Sequence, residues 1–202
     1  MFERELRDLS FVPRWSIARR IRTQSVAEHS FYVALYADQI ASLLGWYDQQ
    51  PPDLVDSIHA SNKSYALLIH ALWHDVEECF TGDVPGPYKR MLGVTTHNEI
   101  VEAERVRRFG HNPHRPDDST TGREIKAILR VANIIDEVMY LAGEMQMGNL
   151  AVEKIFDSVG SRLAKAWSDL PWRDMGEKVK AFQLVLRAID RERNGTSEVL
   201  KA

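Results

Sequence analysis

Four ionisable side chains stand where helical patterning calls for apolar ones. His29 shares a face with Val26 and Val33. His74 and Asp75 close a run containing Leu67, Leu68, Ala71 and Leu72, and Asp136 keeps helical spacing with Leu129, Ala132, Met139 and Tyr140. A bare carboxylate buried in such a place costs on the order of several kcal/mol, so it is protonated, paired or bound to a metal. Each residue alone has an ordinary reading. A single buried histidine is a core residue with satisfied hydrogen bonds, and Asp136 by itself would pair with Arg123, Arg130 or another basic residue. Together they bring two imidazoles and two carboxylates from three expected helices, a mixture that borderline divalent ions such as Zn, Co, Mn and Fe accept. Adjacent ligands at His74 and Asp75 require a helix that skims the ion. On residue types alone, the set reads as a metal centre or a salt-bridge network.

Two rival metal motifs each lack a required residue. His70 and His74 stand four apart, as in zinc proteases, but Ala71 occupies the position of the general-base glutamate. Glu28-His29 is followed four residues on by Val33, not by a second histidine. His70 therefore reads as a core residue or one that supports a ligand from behind.

The elements that must position these residues are helical. Periodicity predicts helices over about 25–45, 62–79, 96–109, 121–147, 150–168 and 172–194. The turn Thr81-Gly82-Asp83 and the prolines Pro85 and Pro87 separate the second from the third, and residues 110–121 read as a surface loop. No segment alternates with period two, so the expected fold is all-α, one domain over residues 1–195 with a fraying tail at 196–202.

Composition narrows the class. The 202 residues are 44% hydrophobic and 27% charged, as in ordinary globular proteins, with a formal net charge of -3. That balance lacks the basic field that draws a protein onto nucleic acid, so no nucleic-acid partner is expected. Cys79 is the only cysteine, which excludes an intrachain disulfide and fits a reducing compartment. Met1-Phe2-Glu3-Arg4-Glu5 places charges where a signal peptide carries apolar residues. The run Tyr65–Trp73 is too short to cross a bilayer and includes His70. These features imply no membrane partner and a cytoplasmic location, or the host cytoplasm if the chain is phage-encoded.

The order His29, His74-Asp75, Asp136 resembles the signature of HD-domain phosphohydrolases. The flanking words sharpen the likeness. Arg14-Trp15, Arg22-Thr23 and Val26-Ala27-Glu28-His29-Ser30 resemble the N-terminal motif of bacterial HD-domain 5'-deoxynucleotidases. His74-Asp75-Val76-Glu77-Glu78, then Thr81-Gly82-Asp83-Val84-Pro85 and Pro87-Tyr88-Lys89, resemble their central motif. The likeness is strong from Arg14 to Lys89, looser around Asp136, and after Gly148 little remains beyond helical character.

This resemblance implies a compact helical domain, a homodimer or higher homo-oligomer, and one divalent ion (Co, Zn or Mn, with Mg also compatible) held by His29, His74, Asp75 and Asp136. It implies that Glu78 is the catalytic carboxylate, with Glu77 not excluded by spacing. Arg14 would hold the substrate phosphate, and Trp15 would pack on the sugar and leave no room for a 2'-hydroxyl. Asp83, Val84, Pro85 and Gly86 would form a substrate loop beside Lys89, Gly86 replacing the hydroxyl residue common there. Metal, Arg14 and Glu78 would then neutralise a phosphoester and manage its protons.

Two reactions fit that set. A deoxynucleoside monophosphate would release phosphate, or, as in the related phage-type enzymes, dATP would release deoxyadenosine and triphosphate. The first is the broader expectation. Ile17 would bound the base pocket, and Arg20 would meet a longer phosphate tail in the second. A catalytically idle regulatory module is disfavoured because every expected ligand and Glu78 are present. A cyclic-nucleotide phosphodiesterase suits the Arg-Trp entry less well.

Overall fold

Ser25-Val26-Ala27-Glu28 spells a capping box, and it starts the first long helix. In the computed structural model, which describes residues 4–47, 57–85, 88, 91, 94–109, 116, 118–172 and 174–195, α1 spans Val26–Leu43. Ser25 Oγ accepts the Glu28 N–H at 3.2 Å, and the Glu28 carboxylate accepts the Ser25 N–H at 2.6 Å, so two orphan donors are satisfied reciprocally. The helix buries Val33, Ala37, Ile40 and Ala41, and His29 on the same face. It ends at Gly45, where the left-handed φ of 61° suits a residue without Cβ.

The central element is the longest. Helix α5, Thr120–Gln146, is capped by Ser119, whose Oγ accepts the Gly122 N–H. Ile128, Val131, Ala132, Ile135, Val138 and Leu141 are buried along it. A helix apolar around most of its circumference must be covered on several sides. Here α1, α2 (Ser57–Trp73), α6 (Glu153–Ser168) and α7 (Met175–Asn194) cover it. Leu67 and Ala71 of α2, Leu163 and Trp167 of α6, and Ala181 and Ile189 of α7 close the core. The fold is all-α. Among the described residues the only β-type pairing is an isolated bridge, Pro13 to Ser25, and no helix is long and apolar enough to cross a membrane.

One expected helix divides in two. Instead of running to Cys79, α2 stops at Trp73, residues 74–77 form a turn, and a short α3, Glu78–Thr81, follows. Side chains take over the carbonyls that a continuing helix would have used. The His74 Nδ1 donates to Ala71 O at 2.6 Å, and Arg105 of α4 (Val94–Phe109) donates to Trp73 O at 2.9 Å. His74 and Asp75 thus project from a turn, not from a helix skimming the site. Gly82, at φ 69°, ends α3 and starts the loop to Pro85. The expected loop at 110–121 lies mostly outside the described residues, as does the tail at 196–202.

Candidate active site

Three donor atoms converge where the HD turn meets α1. His29 Nε2 and His74 Nε2 are 3.2 Å apart, His74 Nε2 and Asp75 Oδ2 3.0 Å, and His29 Nε2 and Asp75 Oδ2 3.5 Å. Metal–ligand bonds of about 2.0–2.1 Å at tetrahedral angles put ligand atoms roughly 3.4 Å apart. The three separations therefore suit one face of a coordination tetrahedron. Both imidazoles are set up for it from behind. His74 Nδ1–H is committed to the Ala71 carbonyl, and His29 Nδ1 lies 2.6 Å from Asp136 Oδ2. With those protons on Nδ1, both Nε2 lone pairs face the cluster, the tautomer that a metal needs. The donor set fits a divalent cation.

Asp136 does not join that cluster. Among the described residues the group with metal-binding separations is His29, His74 and Asp75 alone. Asp136 sits on the opposite edge of the His29 ring, 3% exposed, where its Oδ2 also accepts from Gln24 Nε2 at 2.9 Å and Arg14 Nη1 at 3.3 Å. Its pairing partner is thus Arg14, not Arg123 or Arg130. Arg14 Nη1 also lies 2.6 Å from His29 Nδ1. A ring nitrogen that donates to Asp136 cannot accept from Arg14, so the shared acceptor of both is Asp136 Oδ2.

The turn separates the two glutamates by environment. Burial alone would depress the pKa of His74, but the Asp75 charge, their hydrogen bond and the Ala71 carbonyl carry it above 6.5. Burial would raise Asp75, but His74, and the hydrogen bonds from His29 and His74, hold it well below the usual carboxylate value. The pair favours a proton on His74, which a bound cation displaces. Glu77 turns away to Arg105 at 3.2 Å, and its pKa is raised by burial despite that charge. Glu78, 4% exposed, faces the same cleft as Asp75.

That cleft has a volume of about 800 Å³ and is walled by the Arg14–Ala18 loop, Asp83, Val84 and Pro85, and one side of α6. Arg14, Trp15 and Ile17 line it as expected, Ile17 standing 71% exposed at its lip. Gly86 and Lys89 lie outside the described residues. Trp15 is held on every side. Its indole stacks on Tyr140 at 5.4 Å and 6°, its Nε1–H donates to Gln24 Oε1, and its backbone N–H donates to Asp83 Oδ2 at 3.0 Å. Asp83 therefore orients the tryptophan through the main chain. These contacts hold Trp15 at φ 62°, a left-handed conformation that costs a bulky residue about 1–3 kcal/mol. Arg20, which the triphosphate reading sets near a phosphate tail, donates through Nη1 to Arg14 O at 2.8 Å.

A buried carboxylate that sequence reasoning passed over anchors the loop. Glu144, fully buried on α5, accepts the N–H groups of Ile21 and Arg22 at 2.6 and 2.7 Å and the Asn149 amide at 2.7 Å. Burial would raise its pKa, yet the Ile21 N–H, Asn149 and the Arg22 N–H hold it below the ordinary 4.5. A depressed native pKa means stabilisation that is complete above the unfolded value and is lost as pH falls through the native one. Glu144→Ala should cost roughly 2 kcal/mol at neutral pH, since it removes the charged acceptor of three partly buried donors. In urea unfolding, the gap between wild type and variant should be constant above about pH 5 and close progressively below 4.5. A gap independent of pH would refute the charged anchor.

Other cleft residues were also missed. Asn133 and Glu137 lie one turn apart on α5, and Lys154, Ser158 and Arg162 face them from α6, with Arg162 paired to Glu137 at 3.0 Å. Polar residues at 133, 136 and 137 within an apolar helix were the available signal. Gln24, in a loop without periodicity, offered none.

Known proteins resemble this chain over most of its length. The family model described as 5'-deoxynucleotidase YfbR-like matches residues 1–175. A dATP triphosphohydrolase of Salmonella phage PMBT28 is 28% identical over 189 residues, covering 88% of this chain and 89% of that protein. A 5'-deoxynucleotidase of Photorhabdus temperata is 30% identical over 163 residues, 73% of this chain and 75% of the relative. In fold, the chain is similar to the cyanophage S-2L HD phosphohydrolase DatZ bound to dA and one catalytic Zn2+ ion (TM-score 0.63, 18% identity, 95% and 98% of the two chains). It is also similar to an HD-domain phosphohydrolase of Listeria innocua (TM-score 0.68, 21% identity, 94% and 88%).

Proposed function

The chain belongs to the YfbR-like 5'-deoxynucleotidase family and is an HD-superfamily phosphohydrolase, and from that premise we propose that it cleaves the 5'-phosphoester of 2'-deoxynucleoside monophosphates. The observation that supports this most directly is one shared cleft. Asp75 brings the three-atom cluster to its wall, Glu78 stands beside it, and Arg14 and Trp15 form the facing loop.

We assign His29, His74 and Asp75 as protein ligands of one divalent ion, with Zn, Co or Mn suited to two imidazoles and a carboxylate. Such an ion supplies Lewis-acid polarisation of the phosphoryl group and a hydrolytic water of lowered pKa. The chain's own groups do the rest. Arg14 offers its guanidinium to the phosphate oxygens as negative charge shifts toward the leaving 5'-oxygen. Glu78, nearly buried, removes a proton from the attacking water or returns one to that leaving oxygen. Trp15, fixed between Tyr140, Gln24 and Asp83, presents a rigid edge to the sugar, where a 2'-hydroxyl would have to displace it. Asp136 holds the His29 ring and Arg14 in place. The enzyme would act as a homodimer or higher homo-oligomer in the cytoplasm, or in the host cytoplasm if phage-encoded.

A second reading is release of triphosphate from dATP. It is favoured by the phage relative's coverage and by Lys154 and Arg162, which add cationic groups to a cleft roomy enough for a longer phosphate tail. Chromatography of products from a panel of nucleoside mono- and triphosphates, with Co, Mn, Zn or Mg added, separates the two. Inorganic phosphate and deoxynucleoside from monophosphates supports the first, and intact triphosphate from dATP the second. Equal turnover of ribo- and deoxynucleotides would remove Trp15 from sugar selection.

A further inference from the structure

The cluster of His29, His74 and Asp75 draws nothing from α5, although that helix runs through the core beside it. Asp136 is spent on the far edge of His29, against Gln24 and Arg14. One turn earlier on α5 stands Asn133, on the cleft wall together with Asp75 and Glu78. Its Oδ1 is buried and finds no hydrogen-bond donor among the described residues. A buried amide oxygen left unpaired carries a desolvation penalty, which a water, an ion or a ligand at that atom relieves. Resting on the metal-centre reading above, we infer that Asn133 Oδ1, and not Asp136, is the oxygen that α5 contributes to the divalent ion.

The consequence is electrostatic. An amide oxygen is a hard neutral donor of the kind that cations accept, but it brings no charge. With Asp75 as the sole anionic ligand, a bound divalent ion keeps one positive charge uncompensated, facing the phosphate side of the cleft. A carboxylate at Asn133 would bind the ion more tightly and cancel that charge. The helix therefore trades metal affinity for attraction toward a polyanionic substrate, while Asp136 fixes the His29 ring.

Calorimetric titration of the metal-stripped full chain with Co2+, read together with the visible absorption of the cobalt protein, tests this without turnover. Asn133→Leu, close in shape but lacking the oxygen, should weaken Co2+ binding by about tenfold or more and alter the cobalt spectrum. Asn133→Asp should tighten Co2+ binding by about tenfold, because affinity follows ligand charge. It also serves as the folded control if the leucine variant is unstable. Unchanged affinity in Asn133→Leu, or weaker binding in Asn133→Asp, overturns the assignment of Asn133 while leaving the metal centre intact. Failure of the wild type to bind Co2+, or binding undiminished in His74→Ala, removes the metal-centre reading itself and this inference with it.

Discussion

Glu78→Gln should lower kcat by about 10²–10⁴-fold, the range in which positioned acid–base groups contribute, while metal content and nucleotide affinity stay near wild type. The substitution keeps the size and shape of a side chain that is only 4% exposed, so the loss would report a proton, not a cavity. Environment is what singles out this glutamate. Its neighbour Glu77 is engaged with Arg105 on the other side of the turn, so Glu77→Gln should leave turnover largely intact. Unaltered kcat in Glu78→Gln would move the role to Asp83 or Asp75. A parallel measurement of bound metal by elemental analysis keeps a chemical defect distinct from a lost ion.

Removing the ion should be at least as damaging. The wild type is expected to hold about one divalent ion per chain, and His74→Ala combined with Asp75→Ala should abolish both that content and turnover, by about 10³-fold or more. Two of the three edges of the cluster end on each of these residues, so the doubly substituted site would retain a single imidazole. Chelation followed by readdition of Co, Mn or Zn should restore the wild type but not the variant. Full metal retention in the variant would refute the ligand assignment. The variant should also stay folded, because His74 and Asp75 sit in a turn at the edge of the core, outside the buried apolar cluster.

Much of this was legible in the sequence, and the reasons differ by residue. Histidines and carboxylates interrupting apolar runs marked His29, His74 and Asp75 directly, and periodicity located the two long helices α1 and α5 to within a residue or two. The end of α2 was not legible. No glycine or proline marks Trp73, and the carbonyls freed there are satisfied by a histidine ring and by Arg105, thirty-two residues downstream. Asn133, Asp136 and Glu137 form one polar stripe on α5. Helical spacing names the stripe but cannot assign partners to its members, because a neighbouring loop engages Asp136 through Arg14 and Gln24. The left-handed Trp15 carries no local signal either. Its conformation is imposed by Asp83, Gln24 and Tyr140.

The anchoring of the Arg14–Arg22 loop on Glu144 also sets a timetable for the growing polypeptide. The carboxylate that pins the loop lies more than 120 residues behind it, so at about 5–20 residues per second it follows several seconds later. Until then the HD turn can already have emerged, while the loop that carries Arg14 and Trp15 still lacks its α5 partners Asp136, Tyr140 and Glu144. The loop that carries Arg14 and Trp15 is thus translated ahead of the α5 residues that hold it, and is set only once they have followed.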